Sequence, residues 1–473
     1  MNRFLLLMVF VFPINQVLAQ PNPNDRVLKN KKIDSLMNTL YERGQFTGAI
    51  LITDHGHVLY KKAFGMADRE HRKPYSLNTP GYLQSLSKPI TAMGIMILKE
   101  RGKLRYEQSI RNYLPDLPSC MQAVTIRNLL QHTGGLEGFE DFPDMTEQDV
   151  FKIMQKQTVL KFEPGSKFEY SNAGYTLLGM IIQKISGQSL NGFLTQNIFS
   201  PLGMHNTAVT ELQHRIKVRA IGYDLFGSKN DADSFEGGCA SIISTVGDIA
   251  KFDESLYTYK LVSKQTQEEA FAPSIPQKDD IYGDRSYGFG WWVSTHNGKR
   301  NIFHNGSSYG FKAYDEILMG EHINIIHISN LRHSVMFSMR TAIINILNGK
   351  PYDLPPRGIG PWIYTQTKAQ GIDSAITLYN RIKMSSNKND FNYAESELNT
   401  LGYYLLRSGH EQDAIKIFSL NTITYPGSFN AYDSLGEAYL KIGDKAQGLA
   451  NYKRSLELNP NNEDLKRRIA AVK

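Results

Sequence analysis

The chain has 473 residues, of which 41% are hydrophobic and 21% charged, a composition typical of a water-soluble globular protein with two or three domains. Its 53 Lys and Arg residues exceed its 46 Asp and Glu residues by only seven. The basic residues do not gather into a stripe with interleaved aromatic residues, which argues against a nucleic-acid partner.

Residues 1–19 have the pattern of an export signal. Arg3 gives a positive start, residues 4–12 are almost wholly apolar, and residues 17–19 place small side chains at the two positions that a signal peptidase inspects. The apolar run is too short to span a bilayer, and a buried first helix is the alternative. Since no later segment is long and apolar enough to cross a membrane, we expect a soluble mature protein, exported to the periplasm or the extracellular space.

The region from residue 20 to residue 350 alternates between helical and extended patterns. The predicted elements are a helix over 31–43, strands at 49–52 and 58–60 around a polar turn, helices after Ser85, at 124–130 and at 175–185, a strand at 323–328 and a helix over 334–347. This order predicts an α+β fold in one domain, residues 20–350. Its antiparallel sheet is flanked by the terminal helices, and a helical lobe is inserted between them.

Residues 351–366 are predicted to be a linker because Pro and Gly are dense at its start. An internal repeat follows, in which four landmarks recur after 34 residues: Leu401-Gly402 as Leu435-Gly436, Gly409 as Gly443, Phe418 as Tyr452 and Pro426 as Pro460. This period resembles that of tetratricopeptide repeats, whose paired helices stack into a solenoid. Because segment 375–379 resembles 414–418 without a full repeat around it, we expect 367–473 to hold two repeats and one extra helix. So small a core is expected to lean on the preceding domain.

The two cysteines, Cys120 and Cys239, leave two alternatives open. An oxidising compartment would permit a disulfide between them. Separate small core residues are the more common use of two isolated cysteines, and we favour that interpretation.

Ser85 and Lys88 are the candidate nucleophile and its base. A serine hydroxyl is a weak nucleophile until a base accepts its proton. Residues three apart share a helix face, so the Lys88 amine can reach the Ser85 oxygen. Pro89 is tolerated only in a first helical turn, which places Ser85 near a helix N-terminus, where negative charge is favoured. Residues 90–98 are apolar nearly all round, so we expect a buried helix, and burial lowers the pKa of a lysine.

The second candidate motif is Tyr170-Ser171-Asn172, which precedes a predicted helix. A tyrosine beside a cationic lysine can shuttle a proton. An asparagine can hold a substrate amide through its side-chain carbonyl and amino groups.

The third candidate motif is His304-Asn305-Gly306, at the opening of the late β region. A glycine there lets a substrate lie against a strand edge. We expect the backbone N–H of Ser307 to complete an oxyanion hole with that of Ser85.

The three motifs, in this order, resemble those of the serine β-lactamase and penicillin-binding-protein superfamily, and in particular the branch of class C β-lactamases, D-amino-acid peptidases and related esterases. The resemblance covers roughly residues 31–348. It includes 129–136, close to the family pattern Leu-Leu-x-His-Thr-Ser-Gly-Leu, and 238–250. Six elements in the family's order make a chance match very improbable.

The resemblance implies a β-lactamase-like fold and a serine hydrolase that forms an acyl-enzyme. By residue-to-residue correspondence, Ser85 is the acylated nucleophile, Lys88 and Tyr170 share the proton transfers, and the substrate-binding residues are Asn172, His304, Gly306 and Ser307. His132 matches a position that is more often structural. The chemistry requires no metal and no organic cofactor, and no zinc-type ligand spacing occurs in the chain.

His304 departs from the family pattern, because β-lactamases and D,D-carboxypeptidases usually have lysine there. The fixed charge of that lysine helps to bind a substrate carboxylate, whereas histidine is mostly neutral at pH 7. We therefore expect weaker carboxylate recognition and slow or absent β-lactam turnover. A D-aminopeptidase, D,D-peptidase or esterase is implied, acting on a small-molecule or peptide substrate, with cell-wall-derived peptides among the candidates.

A second hypothesis treats the chain as a catalytically inert or sensory relative that binds a protein partner through its repeats. The presence of Ser85, Lys88 and Tyr170 argues against it, since an unused site would be free to lose them. A repeat region that binds a partner is also compatible with an active hydrolase.

Overall fold

The computed structural model describes residues 23–139, 145–211, 216, 218–235, 237–278, 283–332, 335–385 and 389–472. The predicted signal at 1–19 lies outside these residues. The described strands are, in chain order, β1 (Gly48–Asp54), β2 (His57–Phe64), β3 (Met66–Asp68), β4 (Lys73–Pro74), β5 (Gly81–Tyr82), β6 (Ala208–Val209), β7 (Ile242–Ser244), β8 (Ser286–Tyr287), β9 (Trp292–His296), β10 (Lys299–Ser308), β11 (Phe311–Leu318), β12 (Ile323–Ser329), β13 (Arg357–Gly358) and β14 (Phe391–Asn392).

A seven-stranded sheet in the order β2-β1-β12-β11-β10-β9-β8 organises the first domain. Its neighbouring strands run antiparallel, as the sequence predicts. The β1–β2 turn contains His55 and Gly56 at positive φ, 49° and 74°, which matches the polar hairpin tip expected there. Strands β5, β7 and β6 form a smaller sheet in that order.

The described helices are, in chain order, α1 (Pro23–Glu42), α2 (Ser87–Glu100), α3 (Ile126–Leu130), α4 (Glu147–Gln155), α5 (Asn172–Ser186), α6 (Leu190–Leu194), α7 (Ser200–Leu202), α8 (Val246–Thr258), α9 (Lys264–Ala270), α10 (Met336–Leu347), α11 (Ile359–Gln370), α12 (Ile372–Lys383), α13 (Glu395–Arg407), α14 (Glu411–Thr424), α15 (Phe429–Lys441), α16 (Lys445–Leu458) and α17 (Glu463–Ala471). In this part of the chain no helix is both long and apolar enough to span a membrane.

Strand β1 contributes alternate side chains to two hydrophobic layers of the first domain, because successive residues of a strand point to opposite faces of the sheet. Ile50 and Ile52 pack against the terminal helices α1 and α10. Ala49 and Leu51 face the larger core, which contains the inserted lobe. The predicted architecture, a sheet flanked by the terminal helices with a helical lobe inserted, is confirmed.

Helices α11 to α15 form a third hydrophobic core, and α16 and α17 continue the helical region beyond it. Helices α13 and α14 begin at residues 395 and 411, and α15, α16 and α17 begin at 429, 445 and 463, so each start recurs after 34 residues. Gly402 and Gly436 occupy equivalent places, where an added Cβ would lie 2.4 Å from a ring carbon of Phe418 and of Tyr452 respectively. The geometry agrees with the sequence period; assignment as tetratricopeptide repeats stays a prediction.

Two details of this region differ from expectation. Helix α11 begins at Ile359, inside the predicted linker 351–366, because Ile359 and Ile363 are buried in the helical core. The expected single extra helix is a pair, since α11 packs on α12. Residues 351–360 contain helix breakers, and Pro361 follows them at the third position of α11. A proline is tolerated there because it lies in the first turn of the helix.

Candidate active site

Ser85 lies in a 3₁₀ turn, Gln84–Leu86, that leads directly into α2. Gln84 has φ 53°, in the left-handed region, and is almost fully buried. Such strained backbone persists only where its surroundings hold it. Ser85 itself is half-buried, whereas residues 86–98 are buried, so the candidate nucleophile is the accessible residue at the start of a buried helix.

Lys88 is completely buried and makes three hydrogen bonds. Its Nζ donates to Ser85 Oγ at 3.1 Å, to Asn172 Oδ1 at 2.8 Å and to the backbone oxygen of Cys239 at 3.1 Å. Three acceptors are the full complement of an ammonium group; in the neutral amine that a base requires, the contact with Ser85 reverses and the serine hydroxyl donates. The arrangement fixes the amine beside the nucleophile and joins the first motif to the second.

The second motif forms the entry to α5. Ser171 caps this helix by accepting the backbone N–H of Gly174, and its own backbone N–H donates to Nδ1 of His132 at 3.0 Å. The Tyr170 ring lies 4.2 Å from the His132 ring, and Lys88 Nζ lies 4.8 Å from the Tyr170 centroid. His132 therefore contacts both Ser171 and Tyr170 of the second motif, which fits a structural role. Burial lowers its pKa well below the usual value.

His304 is buried beneath the cleft and both its ring nitrogens have partners. Nε2 lies 2.9 Å from the hydroxyl of Tyr287, and Nδ1 lies 2.7 Å from the backbone oxygen of Asn305. Nδ1 must donate to that carbonyl, so in the neutral ring Nε2 accepts from Tyr287. Burial, and then the charge of Lys88, lower the pKa of His304 to about 3, so it is neutral at physiological pH.

Gly306 brings β10 against the turn that carries the nucleophile. A Cβ at this residue would lie 1.8 Å from the backbone oxygen of Leu83 and 3.1 Å from Cβ of Gln84. No side chain fits there, so the strand edge lies directly on the turn. Ser307 follows as an exposed residue of the same strand.

The structure thus joins Ser85, Lys88 and Asn172 by direct hydrogen bonds and stacks Tyr170 over the lysine. Gly306 and Ser307 lie at the adjacent strand edge. His304, expected to line the cleft, is only 2% exposed and offers substrate little surface.

Tyr287 was missed by sequence reasoning, although its hydroxyl is the partner of His304 Nε2. It belongs to 287–291, in which aromatic residues alternate with glycines. One of these, Gly290, has φ 89°, and an added Cβ there would lie 2.8 Å from Cα of Pro89. This alternation of aromatic residues and glycines is the sequence pattern that could have indicated the segment, because the glycines allow its backbone to pack tightly against α2.

Other groups outside the cleft bear on the earlier expectations. Cys120 and Cys239 form no disulfide, as favoured, and Cys120 Sγ donates to the backbone oxygen of Gln157. Asp68, Glu70 and His71 lie close enough together on the β3–β4 hairpin to share a metal ion, but two of the three are exposed, and Asp68 already hydrogen-bonds His71 at 2.7 Å.

The family model described as Beta-lactamase matches residues 31–347. Penicillin-binding protein 4* of Bacillus subtilis (strain 168) is 32% identical over 377 residues, which cover 74% of this chain and 81% of that protein. The octameric penicillin-binding protein homologue from Pyrococcus abyssi is similar in structure, with 26% identity and a TM-score of 0.61 over 68% of this chain and 77% of that one. A class C β-lactamase shares the fold at 21% identity and a TM-score of 0.60, over 71% and 99% of the two chains.

Proposed function

The chain belongs to the beta-lactamase family of serine hydrolases, and from this premise we propose that Ser85 forms a covalent acyl-enzyme with an amide, a D-amino-acid type peptide or an ester. The observation that carries the proposal is the 3.1 Å contact between Lys88 Nζ and Ser85 Oγ in a half-buried turn. Nucleophile and base within hydrogen-bond reach are the structural signature of an activated serine.

In the proposed reaction, Ser85 Oγ attacks the substrate carbonyl carbon, and its proton passes to the Lys88–Tyr170 pair. The oxyanion develops towards the backbone N–H groups of Ser85 and Ser307. The pair returns the proton to the leaving group as its bond to the acyl carbon breaks. Water then attacks the acyl-enzyme, releases the acid and restores the Ser85 hydroxyl.

Asn172 has two roles in this proposal. Its Oδ1 accepts from Lys88 at 2.8 Å, which holds the amine in place. Its side-chain amino group is then left to donate to a substrate carbonyl, which suits an amide or a peptide. We favour a peptide or amide over a simple ester, and the predicted export signal would give access to cell-wall peptides.

Slow or absent β-lactam turnover follows from His304. A pKa of about 3 leaves this residue neutral where dedicated β-lactamases usually have a lysine. Without a fixed charge beside the oxyanion hole, the carboxylate of a β-lactam is weakly bound. Efficient hydrolysis of a chromogenic cephalosporin by the purified protein would contradict this expectation.

The nucleophile is tested by labelling with a fluorophosphonate and a fluorescent penicillin, followed by mass spectrometry of the modified peptide. We expect an adduct on Ser85 that is lost in Ser85→Ala. Ser87→Ala is the matched control: Ser87 is buried in the same motif, where its Oγ accepts the backbone N–H of Ile242, and this variant should still be labelled. Absence of an adduct with both probes would favour the inert, partner-binding alternative.

A further inference from the structure

A groove of about 700 Å³ runs between the hydrolase domain and helix α13 of the helical region. We call it the seam groove. On one side it is lined by loop 224–230 with Lys312 and Arg332, and on the other by α13 residues that include Tyr403 and Arg407. It lies outside the set of residues that forms the catalytic centre.

The described lining residues of the seam groove carry an excess of positive charge. Four are cationic, Lys229, Lys312, Arg332 and Arg407, against one acidic residue, Asp224. Asp224 accepts the backbone N–H groups of Phe226 and Ser228, so its carboxylate is already used within its own loop. None of the four cations forms an ion pair with a described residue.

Lys312 is the cation whose position is hardest to explain by folding alone. Its side chain is half-buried, and burial followed by the nearby charge of Arg332 lowers its pKa. Neither side chain forms an ion pair with a carboxylate in the described part of the chain. A partly desolvated cation next to a second cation is destabilising unless an anion binds between them.

The strand register connects this pair to the catalytic centre. Lys312 on β11 is the direct cross-strand partner of Ser307 on β10. Adjacent strands lie about 5 Å apart, and directly paired residues project to the same face. Lys312 is therefore one strand beyond Ser307, the proposed oxyanion-hole residue.

The contacts across the groove give it a defined shape. The Phe226 ring stacks on the Tyr404 ring with centroids 4.3 Å apart, and Ser228 Oγ lies 2.8 Å from the Tyr404 hydroxyl. The Arg407 guanidinium lies 5.6 Å from the Tyr403 centroid, which keeps its charge on the groove side of α13. The helical region is thus fixed as one wall of the groove.

We propose that the seam groove binds a carboxylate of the substrate through Lys312 and Arg332, and that the helical region completes this subsite from α13. The inference rests on the proposed serine hydrolase activity and adds a substrate class: an anionic substrate whose charge lies some distance from the bond that is cleaved. Lys312 and Arg332 are specificity residues here and take no part in the proton transfers.

Matched esters test the subsite by kinetics. One pair shares an N-acetyl-D-alanyl group and differs in the leaving group, 4-hydroxyphenylacetate or 4-cresol; a second pair shares 4-cresol and differs in the acyl group, succinyl or butyryl. The preference is the ratio of the kcat/KM values for the two members of a pair, and we expect wild type to prefer the carboxylate member of one pair. The double variant Lys312→Gln, Arg332→Gln should reduce this ratio about tenfold or more. Which pair responds shows which side of the scissile bond carries the charge.

Two further variants separate the subsite from general effects. Arg407→Gln should reduce the same preference by a smaller factor, because its charge is more exposed. Lys416→Gln, an exposed lysine of α14 paired with Asp373, should leave it unchanged. Equal kcat/KM for both members of both pairs in wild type would overturn the inference while leaving the acyl-enzyme proposal intact.

Binding provides a readout that does not depend on turnover. In a Ser85→Ala background, calorimetry with the two carboxylate esters should show binding of one of them that weakens about tenfold in Lys312→Gln and is reduced by 0.5 M salt. Unchanged affinity for both esters in that variant overturns the inference, even if Ser85 is acylated. Binding that weakens as expected, with no acylation of wild-type Ser85, supports the subsite and contradicts the proposed function.

Discussion

At the scale of single residues, Gly306 sets the distance between β10 and the turn that carries Ser85. Any side chain there would collide with the backbone oxygen of Leu83, which lies 1.8 Å from the position of an added Cβ. Backbone cannot rotate out of the way as a side chain can. The oxyanion hole proposed between Ser85 and Ser307 depends on this approach.

We expect Gly306→Ala to slow acylation of Ser85 about 100-fold or more, because loss of one oxyanion donor has an effect of that order. The rate of labelling by a fluorophosphonate measures it. Gly247→Ala is the control, since an added Cβ there meets nothing closer than 4.0 Å and should leave labelling unchanged. A Gly306→Ala protein that is folded by circular dichroism and labelled at the wild-type rate would show that the strand edge does not bind the oxyanion.

Residue-scale prediction from sequence succeeds where the constraint is local. Ser85 and Lys88 lie three apart where a 3₁₀ turn runs directly into α2, and Pro89 marks the first turn of that helix, so their contact follows from helical geometry. The bond between Tyr287 and His304 joins residues 17 apart through sheet packing, which no local pattern encodes. The same holds for the buried state of His304, because burial depends on rings brought in by other elements.

At the scale of elements, a buried pair of carboxyl groups joins helix α8 to strand β11. Asp253 and Asp315 are 0% and 2% exposed, and their side chains interact directly with each other. Burial and the charge of Asp315 raise the pKa of Asp253 well above its usual value, and burial raises that of Asp315 to about 7. Glu254 and Glu316 add like charge nearby.

A raised pKa in the folded state means that folding retains protons that the unfolded chain has lost, so stability falls as pH rises from about 4 towards 7. We expect Asp253→Asn to remove part of this loss, because one carboxyl no longer has to stay protonated. The free energy of unfolding, measured by urea denaturation, should fall less steeply with pH for this variant than for wild type. The difference between the two proteins should grow by up to about 1.4 kcal/mol per pH unit in that window. Asp116→Asn, at an exposed site, is the control. Parallel pH profiles for wild type and Asp253→Asn would contradict the account.

The helical repeats provide a second prediction at this scale. Gly402 lies against the buried Phe418 ring, and a Cβ would come within 2.4 Å of it. Overpacking of a filled core is destabilising by about 1–3 kcal/mol, so Gly402→Ala should lower the melting temperature despite the better helix propensity of alanine. Gly427→Ala, which meets nothing within 4 Å, should have little effect. A stabilised Gly402→Ala protein would show that the two helices are not closely packed there.

The period of 34 residues was predictable because each close contact between paired helices requires a glycine, and Gly402 and Gly436 therefore recur in the sequence. The pairing of α11 with α12 was not, because α11 follows a segment rich in Pro and Gly and lacks the landmarks of the later pairs. Its helical state depends on burial of Ile359 and Ile363 in the common core. Tertiary packing therefore determines that α11 begins at Ile359, several residues before the end of the linker predicted from local composition.

At the scale of the whole molecule, the two regions meet through a small aromatic seam. Phe226 of the hydrolase stacks on Tyr404 of α13, and the hydroxyl groups of Tyr364 and Tyr404 lie 3.1 Å apart. Gln45 also donates to the backbone oxygen of Pro356, which ties the connecting segment to the sheet domain. The expectation that so few repeats lean on the preceding domain is consistent with these contacts.

We expect Phe226→Ala to loosen the helical region, because it removes one partner of the stack and leaves the other partly exposed. The loss is about 2 kcal/mol for a half-buried aromatic side chain. Limited proteolysis should then cut faster in 348–358, and melting should separate into two transitions as the cores of the hydrolase and the helices uncouple. Phe429→Ala, at an exposed aromatic residue of α15, should leave both measurements near wild type. If Phe226→Ala melts in one transition at the wild-type temperature and resists cleavage, the stack does not couple the two regions. Their attachment would then depend on the segment that includes Pro356.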